Sequence, residues 1–156
     1  MAARTIQHLF DEYGESHRNP TNVAVHWIAV PLIYFSIFGL LYSIPALHLP
    51  YWGRPTVVSV VLLAVVLFYL RHSVVLAIGM GLFTVLCVLV AKVLDNEVAW
   101  PLWAISIGIF VLAWIAQFIG HGVEGRKPSF LKDLQFLLIG PAWLLAKVYR
   151  KMRIPY

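Results

Sequence analysis

The sequence predicts an all-α integral membrane protein. The expected form is a helical bundle of four transmembrane helices, followed by a short C-terminal helical segment that is broken at Gly140-Pro141 and is re-entrant or interfacial. Two observations carry this prediction. Hydrophobic residues make up 61% of the chain and charged residues only 12%, far from the average soluble composition. Windows free of Asp, Glu, Lys and Arg also run long enough to cross a hydrocarbon core of about 30 Å at roughly 1.5 Å per residue. Lys and Arg stand at the edges of these windows. Residues 1–156 read as a single transmembrane domain without internal repeats.

The elements follow in order. The opening stretch MAARTIQHLFDEYGES carries acids and no apolar run, so it does not read as a secretory signal, and the first apolar helix is expected to act as its own insertion signal. In RNPTN, Asn19 suits an N-cap and Pro20 the first helical position, which starts the helix of the first span, placed at 22–44. Pro45 and the LHLPYWGRP stretch then break the chain and supply an interfacial Tyr51/Trp52 pair. The second span, 56–71, follows Pro55, is short for a crossing, and ends at Arg71 and His72. The third, 73–92, contains Gly79-Met80-Gly81, which permits close helix contact. An acidic loop, LDNE, leads through Pro101 to the fourth span, 99–120, entered through Trp100 and Trp103. The segment 133–149 is too short and too interrupted to read as a crossing.

Charge bias sets the orientation. Ten of the basic residues, Arg4 and Arg18 among them, fall on one side of four crossings, and only Arg54 and Lys92 on the other. Both termini are therefore expected in the cytosol, in a bacterial inner membrane or an endoplasmic reticulum. The net charge of +5 does not indicate nucleic acid, because the basic residues flank apolar segments and are not interleaved with aromatics on a polar surface. Cys87 is the single cysteine, which excludes a disulfide framework and a thiolate metal cluster.

This topology makes the six histidines unequal. His17, His26, His72, His121 and His8 belong to the cytosolic face, and His48 to the other. Asn22 and His26, four residues apart, share a helix face, and the Asn19-Pro20 break lets the segment carrying His17 fold back towards them. Gln117, His121 and Glu124 form one stripe if their helix persists through Gly120 and Gly122. Polar groups at such depth are costly unless paired or bound to something, and a metal would satisfy them all. Imidazoles with a carboxylate suit iron, zinc, copper or nickel better than calcium or magnesium. Open coordination positions serve oxygen activation at non-haem iron or water activation at zinc, and spacing does not separate the two. A site at the lipid boundary favours a substrate with an apolar tail and a polar head. The blander reading of these residues is interfacial histidines, Asn22 as an interhelical hydrogen bond, and Glu124 in a loop ion pair with Arg126 or Lys127.

The segments HRNPTNVAVHWIAVP and WIAQFIGHGVEGRKPSFLKDL resemble the two signature regions of the membrane family that contains the yeast iron(II)-dependent 2-hydroxy fatty acid dioxygenase of phytosphingosine breakdown. His17, Pro20, Asn22 and His26 match the first region, and Gln117, Phe118, Gly120, His121, Glu124 and Pro128 the second. There are departures: the family usually has one more residue between the histidine and the glutamate, Ser129 stands where an alanine often follows the proline, and His72 has no counterpart. The resemblance implies that Fe(II), with O2 as cosubstrate and no 2-oxoglutarate, removes one carbon from a 2-hydroxy fatty acid. On that reading His17, His26 and His121 hold the iron, and Glu124 is a fourth ligand or an acceptor that orients an imidazole. Asn22 and Gln117 fix those rings or bind the substrate carboxylate, which Arg18, Arg126 or Lys127 attract to the interface. Three alternatives stand beside it. One is a zinc-dependent membrane lipid hydrolase with Glu124 as general base, another a bis-histidine haem protein, and the third a non-enzymatic membrane protein with structural histidines.

Overall fold

The computed structural model of the chain describes residues 5–45, 56–125 and 136–156. Among these residues there are six helices and no strand: α1 (Ile6–Gly14), α2 (Pro20–Tyr42), α3 (Val57–Leu70), α4 (Val74–Glu97), α5 (Leu102–Glu124) and α6 (Ile139–Met152). Helices α2, α4 and α5 are long and apolar enough to cross a membrane, whereas α3 is equally apolar but has 14 residues, about 21 Å of helix. Large aliphatic side chains such as Ile28, Leu63, Leu82 and Leu112 point outward, the arrangement expected of a bundle whose solvent is lipid.

Local chemistry explains the helix starts. Asn19 Oδ1 accepts the Thr21 N–H at 2.9 Å and Pro20 opens α2, as the Asn-Pro pair predicts. Thr56 and Ser73 cap α3 and α4 in the same way, through the N–H groups of Ser59 and Leu76.

Three boundaries differ from expectation. Helix α4 continues to Glu97, so LDNE is helical: nothing between Lys92 and Glu97 is a glycine or proline, and the first strong breaker is Pro101. Helix α5 begins after Pro101 and runs through Gly120 and Gly122 to the left-handed Gly125 (φ 71°), a conformation that glycine adopts freely. Gly140 and Pro141 do not break α6. They lie in its first turn, where a missing N–H deprives the helix of nothing, and the helix is continuous over 14 residues. Residues 133–135 of the expected broken segment, and Tyr51, Trp52 and His48, lie outside the described residues.

Helix α1 was not among the expected elements. Thr5 caps it, and Ile6, Leu9, Phe10 and Tyr13 fall at amphipathic spacing, with Phe10 and Tyr13 buried. It packs on α6, which also touches α4 and α2.

The pairing of α2 with α5 organises the bundle. Two glycines let these antiparallel helices approach. Gly39, late in α2, faces the Ser106 side chain early in α5, and Gly120, late in α5, faces Asn22 early in α2. At Gly120 a methyl group would lie 2.6 Å from Asn22 Oδ1, so the backbone approach depends on the absence of a Cβ. The start of α2 and the end of α5 thereby occupy the same end of the bundle.

Candidate metal centre

His17 lies in the connection between α1 and α2. Its ring stacks on Tyr13, with centroids 4.1 Å apart and an interplanar angle of 16°. His17 Nδ1 is 2.6 Å from the Tyr13 carbonyl oxygen. A carbonyl only accepts, so Nδ1 carries the hydrogen and Nε2 the lone pair. His26, in the second turn of α2, repeats the device: Nδ1 donates to the Asn22 carbonyl at 2.8 Å. His121 projects from the last turn of α5.

The three rings meet. Their centroids are 4.3 Å (His17–His26), 5.2 Å (His17–His121) and 5.0 Å (His26–His121) apart. One ligand nitrogen from each lies within 4.8 Å of the others. The residues are 5%, 1% and 2% exposed, in chain order. Nε2 of His17 and Nε2 of His26 are buried and have no hydrogen-bond partner among the described residues. Burial holds the His17 imidazole down to about 4, below its ordinary 6.5, with the Tyr13 carbonyl opposing the shift. The ring is therefore neutral near pH 7. The His17 and His26 imidazoles, each turned inward on Nε2 and anchored through Nδ1, match the way proteins orient histidine ligands. The donor set thus fits a divalent transition metal.

The other candidates surround this centre. Asn22 is fully buried, and its Nδ2 donates to the Ser16 carbonyl at 3.2 Å and to Glu124 Oε2 at 3.1 Å. Glu124 accepts the Asn19 N–H at 2.8 Å on Oε2 and the Arg18 N–H at 3.0 Å on Oε1. Its carboxylate therefore caps the start of α2, where the helix dipole favours negative charge, and is not one of the converging ligand groups. Gln117 is 4% exposed and lies one turn before His121. It lines a crevice with Tyr13, Val30, Ile33, Trp114 and Phe136. His8 is exposed and His72 packs on Phe68, so neither joins the cluster. Arg126, Lys127 and Pro128 lie outside the described residues.

Two residues that the sequence did not single out wall this centre: Tyr13, and Trp143, whose ring is 5.6 Å from that of His17. Tyr13 is signalled by its place four residues before His17 on an amphipathic stretch, whereas nothing local to Trp143 announces it. Lys147 Nζ sits 3.5 Å above the Trp143 ring.

Comparison with known proteins adds two findings. The family model described as "Mpo1-like: 2-hydroxy-palmitic acid dioxygenase Mpo1-like" matches residues 3–152. The chain is also 31% identical over 145 residues to the 2-hydroxy-palmitic acid dioxygenase MPO1 of Saccharomyces cerevisiae, covering 90% of this chain and 77% of the yeast protein. No solved structure matches it.

Proposed function

The chain belongs to the Mpo1-like family, and from that premise we propose that it is an iron(II)-dependent membrane dioxygenase that shortens 2-hydroxy fatty acids by one carbon. The observation that carries the proposal is the meeting of three buried imidazoles from separate segments, two of them with inward nitrogens that have no partner among the described residues. His17, His26 and His121 are the residues that would hold the iron. Iron(II), when bound, supplies the electron-transfer chemistry that lets O2 react with the 2-hydroxy acid. With one O2 per substrate, the overall reaction balances as the acid one carbon shorter, CO2 and water.

The remaining residues position and enclose. The Tyr13 and Asn22 carbonyls hold the His17 and His26 rings in a single tautomer. Glu124 acts as a positioning residue: it ties α5 to the start of α2 and holds the Asn22 side chain. Between α2 and α5, a small crevice of about 20 Å³ lies among Tyr13, Val30, Ile33, Trp114 and Gln117, room for roughly one water. The acyl chain lies in the surrounding lipid against the exposed apolar faces of the bundle, while the polar head remains at the membrane boundary. Arg18, Arg126 and Lys127 attract the carboxylate to that boundary.

The same geometry supports four crossings. The start of α2 and the end of α5 share one end of the bundle, so α3 makes a return pass despite its length, and α6 lies at the His-bearing face. The basic residues gathered at that face make it the cytosolic one, whether in a bacterial inner membrane or an endoplasmic reticulum.

The test is metal analysis and O2 uptake on anaerobically purified protein. One iron per chain, O2 consumption with 2-hydroxypalmitate and a product one carbon shorter are expected. Tightly held zinc without O2 uptake would reject the proposal in favour of a hydrolase.

A further inference from the structure

We propose that the groove between α2, α4 and α6 seats an acyl chain of an anionic phospholipid, whose phosphate is held by the basic end of α6. The inference goes beyond the dioxygenase reading and needs only that the chain lies in a membrane.

Shape comes first. The groove has a volume of about 180 Å³, many times the roughly 10–15 Å³ that one water requires. Buried Met80, Pro141 and Leu144 line it together with half-buried Leu145 and Val148 and the exposed Trp27. Apart from the Trp27 indole, no lining side chain offers a strong hydrogen-bonding group. Water there would lack partners, whereas an acyl chain exchanges one apolar environment for another.

Charge then names the lipid. Pro141, Leu144 and Val148 form one stripe of α6 at three- and four-residue spacing, and Lys151, three residues on, continues it beyond the groove. At about 1.5 Å per residue, Lys151 stands roughly 4.5 Å past Val148 along the helix. Lys147, Arg150 and Arg153 gather at the same end, and α6 contains no acidic residue. Arg150, Lys151 and Arg153 are exposed. Lys147 feels the like charge of Arg150 and, among the described residues, that of no carboxylate. The helix dipole and the preference of basic residues for the cytosolic side account for cations in a last turn. Neither places them in line with an apolar groove. An anionic phospholipid supplies both halves, a chain for the groove and a phosphate whose charge no group of its own cancels. A chain lying there touches α2, α4 and α6 at once, so it ties down the helix whose Trp143 covers His17.

The test is native mass spectrometry and thermal unfolding of the full chain, metal-free and in a neutral detergent, so that the outcome does not depend on iron. Dioleoyl phosphatidylglycerol, dioleoyl phosphatidylcholine, glycerol 3-phosphate and 2-hydroxypalmitate are titrated in turn. Phosphatidylglycerol is expected to bind at least about tenfold more tightly than the others and to raise the melting temperature. Combining Arg150→Gln with Lys151→Gln should weaken it by at least about tenfold, whereas Arg71→Gln, at an exposed position ending α3, should not. Val148→Phe or, should that variant not fold, Leu145→Phe fills the groove without altering charge and should also weaken it. Equal affinity for the two phospholipids, glycerol 3-phosphate or 2-hydroxypalmitate binding as tightly as phosphatidylglycerol, an equal loss in Arg71→Gln, or full binding in the filled groove would each overturn the inference. The dioxygenase reading survives any of these results, since iron content and O2 uptake decide it separately.

Discussion

Gly120→Ala is the sharpest perturbation of the candidate metal centre that touches none of its three histidines. The added methyl would lie 2.6 Å from Asn22 Oδ1 and 3.4 Å from Val25 Cβ. Close carbon–oxygen contacts settle near 3.3 Å, so α2 and α5 must part locally by about 0.7 Å unless Asn22 turns aside. Asn22 is not free to turn, because its Nδ2 is held by the Ser16 carbonyl and by Glu124. Metal sites tolerate deviations of about 0.2 Å in ligand distance, so the expected shift is several times too large. Overpacking costs about 1–3 kcal/mol, offset by up to about 1 kcal/mol from the better helix propensity of alanine. The fold should therefore survive while iron affinity falls at least about tenfold, the size of effect seen when groups that orient metal ligands are disturbed. The assay is iron titration against a competing chelator, with Gly122→Ala as control, since nothing lies within 4 Å of a Cβ there. Equal iron affinity in the two variants would refute the reasoning.

Other outcomes follow from the same geometry. His26→Ala and His121→Ala should each abolish iron binding while helicity and membrane insertion persist; full iron retention in either would defeat the assignment. Glu124→Gln should keep iron and lower stability by about 1–2 kcal/mol, because one capping interaction of a charged group weakens; loss of iron equal to that of His26→Ala would instead make Glu124 a ligand. The pH dependence has a definite sign. The His17 imidazole is held down to about 4 in the fold, against 6.5 ordinarily, so between those values the unfolded chain binds a proton that the fold refuses. His17 by itself should take about 3 kcal/mol from the stability of the metal-free protein as pH falls through that window, and contribute nothing above it. His17→Gln should make the slope shallower by that amount, and an unchanged slope in that variant would exclude His17 as a source.

Local signals in the sequence proved readable where chemistry is local. The start of α2 depends on Asn19 and Pro20 alone, and the shared face of Asn22 and His26 on a four-residue spacing. The meeting of His17, His26 and His121 was approachable because membrane topology restricts each to one boundary. That argument has no lateral resolution: it sends His8 and His72 to the same face, and neither reaches the cluster. The stripe of Gln117, His121 and Glu124 told which residues align but not that the carboxylate would turn to the backbone of Arg18 and Asn19, across more than a hundred residues. Helix α1 was hidden because Asp11, Glu12 and Glu15 obscure the spacing of Phe10 and Tyr13. The extent of α4 is obscured because the charges of Asp95 and Glu97 resemble a loop signal, although no glycine or proline ends the helix there.

The aromatic cover of His17 comes from both sides of the chain, Tyr13 before it and Trp143 far behind it. At roughly 5–20 residues per second a ribosome reaches the tryptophan about 6–25 s after the histidine. All three nitrogen donors are already made by then, yet the newest helix has still to be laid over them. An ion held there would accordingly gain its full cover only in the finished polypeptide, and a chain released ahead of α6 would present its first donor to water.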